Sequence, residues 1–149
     1  MSEQKELKVK EVFSVSDEDG EEITIVYPKV SAGFPSPAED FFQERLDLNS
    51  YLIKHPASTF FVKVEGDSMV DAGIYNNDLL IVDKSLTPKE NSIVIAAVNG
   101  ELTVKKLKRV NSKLCLIPEN KIYPPIELKD ETDLRIWGVV IYSIHKIND

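Results

Sequence analysis

The chain has 149 residues, 42% of them apolar, which suffices for one domain with a hydrophobic core and is short for two full domains. Eighteen Lys and Arg stand against 25 Asp and Glu, a net charge of −7, which opposes general binding to a phosphate backbone. The single cysteine, Cys115, excludes an internal disulfide; no apolar run reaches the ~18 residues of a membrane span. Met1 to Glu6 lacks the apolar stretch of a signal peptide, so the expectation is a soluble cytoplasmic protein.

Residues 1–32 form an acidic arm with eight carboxylates and four lysines. Within it Asp17-Glu18-Asp19-Gly20-Glu21-Glu22 is a turn-like cluster between two strand-like runs, Val12 to Val15 and Ile23 to Tyr27, and reads as a solvated hairpin. The arm is too short, and too poor in helical apolar period, to hold a helix-turn-helix. Ser31-Ala32-Gly33-Phe34-Pro35-Ser36-Pro37 is extended and exposed, a boundary. Ser36-Pro37-Ala38-Glu39 has the capping-box arrangement and predicts a short helix carrying Phe41, Phe42, Arg45 and Leu46 to near Asp47. Asn49 caps one more turn through Ile53 before His55-Pro56 stops it.

From Thr59 onward the pattern is β. Runs at 60–64, 79–82, 93–98, 102–104, 114–117 and 137–142 are strand-length and rich in branched or aromatic residues. The fold class is therefore mainly β: a curled, barrel-like domain behind a short N-terminal arm, with one or two short helices. Asn99-Gly100 predicts a type I′ hairpin, and the register it sets places Val98 opposite Glu101 and Val94 opposite Lys105.

Val64-Glu65-Gly66-Asp67-Ser68-Met69 runs a strand into a small-residue turn that presents one serine. Serines in turns are mostly capping groups, and a nucleophile needs a base. The two histidines, His55 and His145, come without a context that ties them to Ser68, so nothing favours a Ser-His-Asp triad. A desolvated lysine is the other solution. Lys105 shares a strand face with Thr103 and Leu107, with Val94 and Ala96 as an apolar wall and Thr103 placed to orient the amine. Taken alone, Lys105, Lys106, Lys108 and Arg109 read first as an exposed basic strand end. Alternation puts Lys105 and Lys106 on opposite faces, and sequence geometry alone does not choose between them.

Asp67, Asp71, Asp78 and Asp83 match no calcium-loop or two-histidine spacing and read as turn and strand-end groups, so neither a metal nor a cofactor is expected. Cys115, between Leu114 and Leu116, reads as a small buried hydrophobe. Trp137 and Tyr142 read as core or dimer-interface anchors. The basic group from Lys105 to Arg109 lacks interleaved aromatics for stacking on single-stranded DNA.

Gly66-Asp67-Ser68-Met69, followed by Lys105 inside the run from Ala96 to Leu107, resembles the LexA-like self-cleaving Ser-Lys peptidases. The likeness spans roughly residues 30–142 and takes in residues 32–38, 78–83 and 138–141. The resemblance implies that Ser68 is the nucleophile and Lys105 the general base. It also implies that the backbone N–H groups of Asp67 and Ser68 form the oxyanion hole, and that the scissile bond is Ala32-Gly33. Residues 1–32 would then be a removable arm and 33–149 the peptidase domain. Within that family the resemblance points to members whose trimmed homodimer joins a Y-family translesion polymerase after a RecA filament on single-stranded DNA promotes the cut. It implies no sequence-specific DNA contact and no membrane. A non-catalytic regulatory module is the alternative. A cleavable repressor is a more distant one, since it would need a DNA-reading helix that residues 1–32 do not supply.

Overall fold

The structure, a computed structural model, describes residues 7–15, 23–28, 41–121, 126–127 and 134–148. They divide into two compact units, one of residues 1–15 and 55–149 and the other of residues 16–54.

In the first unit six antiparallel strands close into a barrel. Its strands are β1 (Lys8–Ser14), β4 (Thr59–Glu65), β5 (Leu79–Asp83), β10 (Leu134–Ile144), β6 (Ile93–Val98) and β7 (Glu101–Val110), in that spatial order. The ring is completed where Lys8 of β1 pairs with Thr103 of β7. Strands β8 (Lys113–Ile117) and β9 (Ile126–Glu127) extend the sheet beyond β7. In the second unit β2 (Ile23–Pro28) and β3 (Phe41–Leu46) form an antiparallel pair, followed by the single-turn helix α1 (Leu48–Leu52). The mainly β, barrel-like expectation is met.

Alternation explains the core. Phe60, Val62 and Val64 of β4, Leu80 and Val82 of β5, Ile95 of β6 and Val104 of β7 share the inward face with Leu7, Met69 and Ile74. Full burial of each such aliphatic side chain contributes about 1.5–3 kcal/mol. The opposite face of β6 and β7 carries a second cluster of Val94, Ala96, Leu107 and Leu116. The hairpin at Asn99-Gly100 forms as read, with positive φ at both residues (49° and 86°) and with Val98 opposite Glu101 and Val94 opposite Lys105. Cys115 is buried. Trp137 is exposed and edge-on to Phe60, with the Lys84 ammonium 5.3 Å from the Phe60 ring centre and 5.9 Å from that of Trp137.

Three expectations are corrected. Phe41, Phe42, Arg45 and Leu46 lie on strand β3, not on a helix; the pairing of Ile23 with Leu46 through Pro28 with Phe41 overrides the local capping signal. Helix α1 is capped by Asp47, whose carboxylate accepts from the N–H groups of Asn49 (3.1 Å) and Ser50 (3.4 Å), rather than by Asn49. The two arm strands do not form a hairpin with each other: β1 pairs with β4 and β7, and β2 with β3. The capping-box residues Ser36 to Glu39 and the acidic cluster 17–22 lie outside the described residues.

Candidate active site

Strand β4 ends in a turn that only a glycine enters without strain: Gly66 has φ 116°, and its N–H donates to Asn76 Oδ1 at 2.9 Å. The Asp67 carbonyl accepts from Asn120 Nδ2 at 2.8 Å and from the Val70 N–H at 3.3 Å. Beyond it, Met69 is buried in the barrel, and a 3-10 turn (Val70–Ala72) ends at Gly73 with φ 81°. Ser68 is held between these anchors and is completely buried.

The facing group comes from β7. The Lys105 side chain is also completely buried. Its Nζ donates to Ser68 Oγ at 3.2 Å, to Thr103 Oγ1 at 3.1 Å and to the Val104 carbonyl at 3.3 Å. Thr103, two residues back on the same face, stands where the sequence placed it. Lys106 points the other way and pairs with Glu119 at 2.8 Å. Of the two lysines it is thus Lys105 that meets the serine.

Two elements of the site escaped the sequence reading. Asn120 holds the serine turn from a loop 53 residues away, and no local pattern marks it. The second is Leu7: its N–H donates to Ser68 Oγ at 2.7 Å, and its carbonyl accepts from Thr103 Oγ1 at 3.2 Å. The alternation of Leu7 and Val9 among charged residues was the available signal. Ala32 and Gly33 lie outside the described residues.

The histidines are engaged elsewhere. His145 Nδ1 is 2.6 Å from buried Asp78, which also accepts from Ser143 Oγ at 3.0 Å and the Tyr75 N–H at 2.8 Å. His145 lies directly after the last strand, which ends at Ile144. His55 Nδ1 is 2.6 Å from Asp83 and 3.2 Å from Ser85 Oγ. With serine and aspartate on the same ring nitrogen, that trio lacks the relay geometry of a triad. Among the described residues no group of three or more His, Cys, Asp or Glu could hold a metal ion.

Burial pushes the Asp83 carboxyl up, but hydrogen bonds from Ser85 and His55 outweigh it and hold the group below its ordinary 3.8. A carboxyl lowered on folding stabilises the protein at all pH above that ordinary value, and the contribution is lost as pH falls below it toward the folded-state value. Asp83→Asn should therefore cost about 1–3 kcal/mol at neutral pH. It should also shallow the stability loss below about pH 4, as measured by urea unfolding across a pH series.

The sequence profile described as Peptidase S24-like matches residues 24–141. The chain belongs to the peptidase S24 family. It is 48% identical over 115 residues to protein SamA of Salmonella typhimurium, a match covering 77% of this chain and 79% of that one. It is 43% identical over 117 residues to protein MucA of Escherichia coli (78% and 80% covered). To the LexA repressor of Acidithiobacillus ferrooxidans it is 41% identical over 116 residues, 76% of this chain and 56% of the repressor. Within the S24 family its likeness is thus to UmuD-like members as well as to LexA.

Proposed function

We propose that this S24-family chain is a self-cleaving serine peptidase in which Ser68 is the nucleophile and Lys105 the general base. The observation that carries the reading is a completely buried amine 3.2 Å from a completely buried hydroxyl. Burial disfavours the ammonium form. A neutral amine keeps two N–H bonds for Thr103 Oγ1 and the Val104 carbonyl and turns its lone pair to the serine O–H. Lys105 then takes the proton as Ser68 Oγ attacks the Ala32 carbonyl. The N–H groups of Asp67 and Ser68 stabilise the oxyanion, a contribution of about 2.7–4 kcal/mol per donor. Lys105 returns the proton to the Gly33 nitrogen as the C–N bond breaks, so Gly33 becomes a free N-terminus while residues 1–32 stay on Ser68 Oγ as an ester that water then hydrolyses. Thr103 acts as a positioning residue.

The likeness to SamA, MucA and LexA supports a role in the SOS response to DNA damage. In this reading the cut follows contact with a RecA filament on single-stranded DNA in the cytoplasm. The trimmed homodimer then serves a Y-family translesion polymerase as its accessory subunit.

Incubation of the purified chain over a series of alkaline pH values, read by intact mass, tests the chemistry. Release of a fragment ending at Ala32 should quicken about tenfold per pH unit until the lysine is neutral, and Ser68→Ala should stay whole. A chain that remains intact at every pH, with and without RecA filaments, would be a non-catalytic module instead.

A further inference from the structure

The strand that closes the barrel is part of the arm. β1 pairs with β4 from Lys8 opposite Glu65 to Ser14 opposite Phe60, and touches β7 at Thr103. At its start Leu7 is bound as a peptide ligand is bound. Its N–H and C=O engage Ser68 and Thr103, and its completely buried side chain fills the barrel beside Val64, Met69 and Val104. Together these make a seam between β4 and β7 that accepts an extended strand by main-chain hydrogen bonding plus one apolar side chain.

We propose that β1 occupies the peptide groove of Ser68 and Lys105 as an internal competitor of the scissile segment, with Leu7 as its anchor, so that the cut requires β1 to leave the seam. The inference rests on the proteolytic reading above. An acceptor site on Ser68 Oγ is taken by the Leu7 N–H at 2.7 Å, and two backbones cannot share that space. The cleavage rate is then the intrinsic rate multiplied by the fraction of molecules whose seam is open. The remainder of β1 adds less: Val9 packs only partly against the core, Lys8 and residues 10–14 are exposed, and the register shifts between Val9 and Glu11. The anchor is therefore where occupancy is decided.

The experiment uses the full-length chain with Leu7→Asp, Leu7→Ala and Leu7→Met. Two readouts are taken: release of residues 1–32 at alkaline pH, and acetylation of Lys105 by acetic anhydride mapped by mass spectrometry. Leu7→Asp should raise both rates at least about tenfold, since its charge cannot enter the barrel. Leu7→Met should raise both rates less than Leu7→Ala does, because it refills more of the same volume. A synthetic peptide of residues 7–15 added to Leu7→Asp should restore protection, and a scrambled one should not. If Leu7→Asp loses its melting transition, Leu7→Ala is read in the same way. Wild-type rates in the folded variants would overturn the proposal, as would a cut between residues 6 and 7, which would make the strand a substrate. If no chain is cut after Ala32 while Lys105 is exposed by Leu7→Asp and covered again by the peptide, the strand's occupancy stands and only the proteolytic reading falls.

Discussion

Lys105→Met is expected to keep the fold and lose self-cleavage. The side chain is completely buried, and its strand face adjoins Val94, Ala96 and Leu107, all of them buried, so an unbranched apolar chain of similar length meets a compatible wall. The substitution removes three hydrogen bonds from Nζ. Yet Ser68 Oγ keeps the Leu7 N–H and Thr103 Oγ1 keeps the Leu7 carbonyl, so both hydroxyls retain a partner. Replacing a buried ionisable group with an apolar one is often neutral or stabilising, so the melting temperature should hold or rise. Methionine has no lone pair able to take the serine proton, and loss of a proton acceptor from a coupled nucleophile–base pair costs about 10⁴ to 10⁶ in rate. Lys106→Met is the matched control. It deletes a partly buried ion pair with Glu119 (29% and 24% exposed), worth about 1 kcal/mol, and should cleave at the wild-type rate once scaled to the folded fraction. Thermal melts beside a mass-spectrometric time course of the two variants decide the matter; cleavage lost in Lys106→Met and kept in Lys105→Met would reverse the roles of the two lysines.

That choice between neighbouring lysines shows how much was legible before the structure. Asn99-Gly100 determines a two-residue turn, the turn determines the register, and the register puts Lys105 opposite Val94 on the face of Thr103. Every step is local, so the chain of inference survives. Which lysine meets Ser68 depends on β4, the Gly66 turn and β7 coming together across the barrel, and no spacing encodes that. The same limit explains β3. A capping box followed by Phe41, Phe42, Arg45 and Leu46 is a helix signal as far as neighbours can tell, while the strand partner Ile23–Pro28 lies well upstream. Leu7 was missed for a third reason. Two alternating apolar residues, Leu7 and Val9, are too short a period to mark a strand among charged neighbours, and the weight of Leu7 comes from the seam it fills.

Gly138→Val should be the most destabilising single substitution in the last strand, and its cause is space rather than backbone freedom. A Cβ at this position would stand 2.7 Å from Val82 Cγ1, 3.2 Å from the Asp83 carbonyl oxygen and 3.3 Å from the Asp83 carbonyl carbon. Val82 is completely buried in the barrel. The Asp83 backbone is gripped on both sides, opposite Thr59 on β4 and opposite Val139 on β10, so it cannot retreat without opening two strand pairings. Overpacking of this kind costs about 1–3 kcal/mol for one added methyl and more for a branched side chain. In a chain of this size each kcal/mol lowers the melting temperature by roughly 2–4 °C, so Gly138→Ala should melt several degrees early and Gly138→Val earlier still. Adding Val82→Ala to Gly138→Ala should recover part of the loss, because it removes the shortest contact but not the two with Asp83; a double-mutant cycle measures that coupling. β10 joins β5 to β6, and β6 is the hairpin partner of β7, which carries Lys105. Below its melting range Gly138→Ala should therefore retain alkaline self-cleavage, losing it only in step with the folded fraction. Strictly additive melting data for the pair would show that the clash at Val82 is relieved elsewhere.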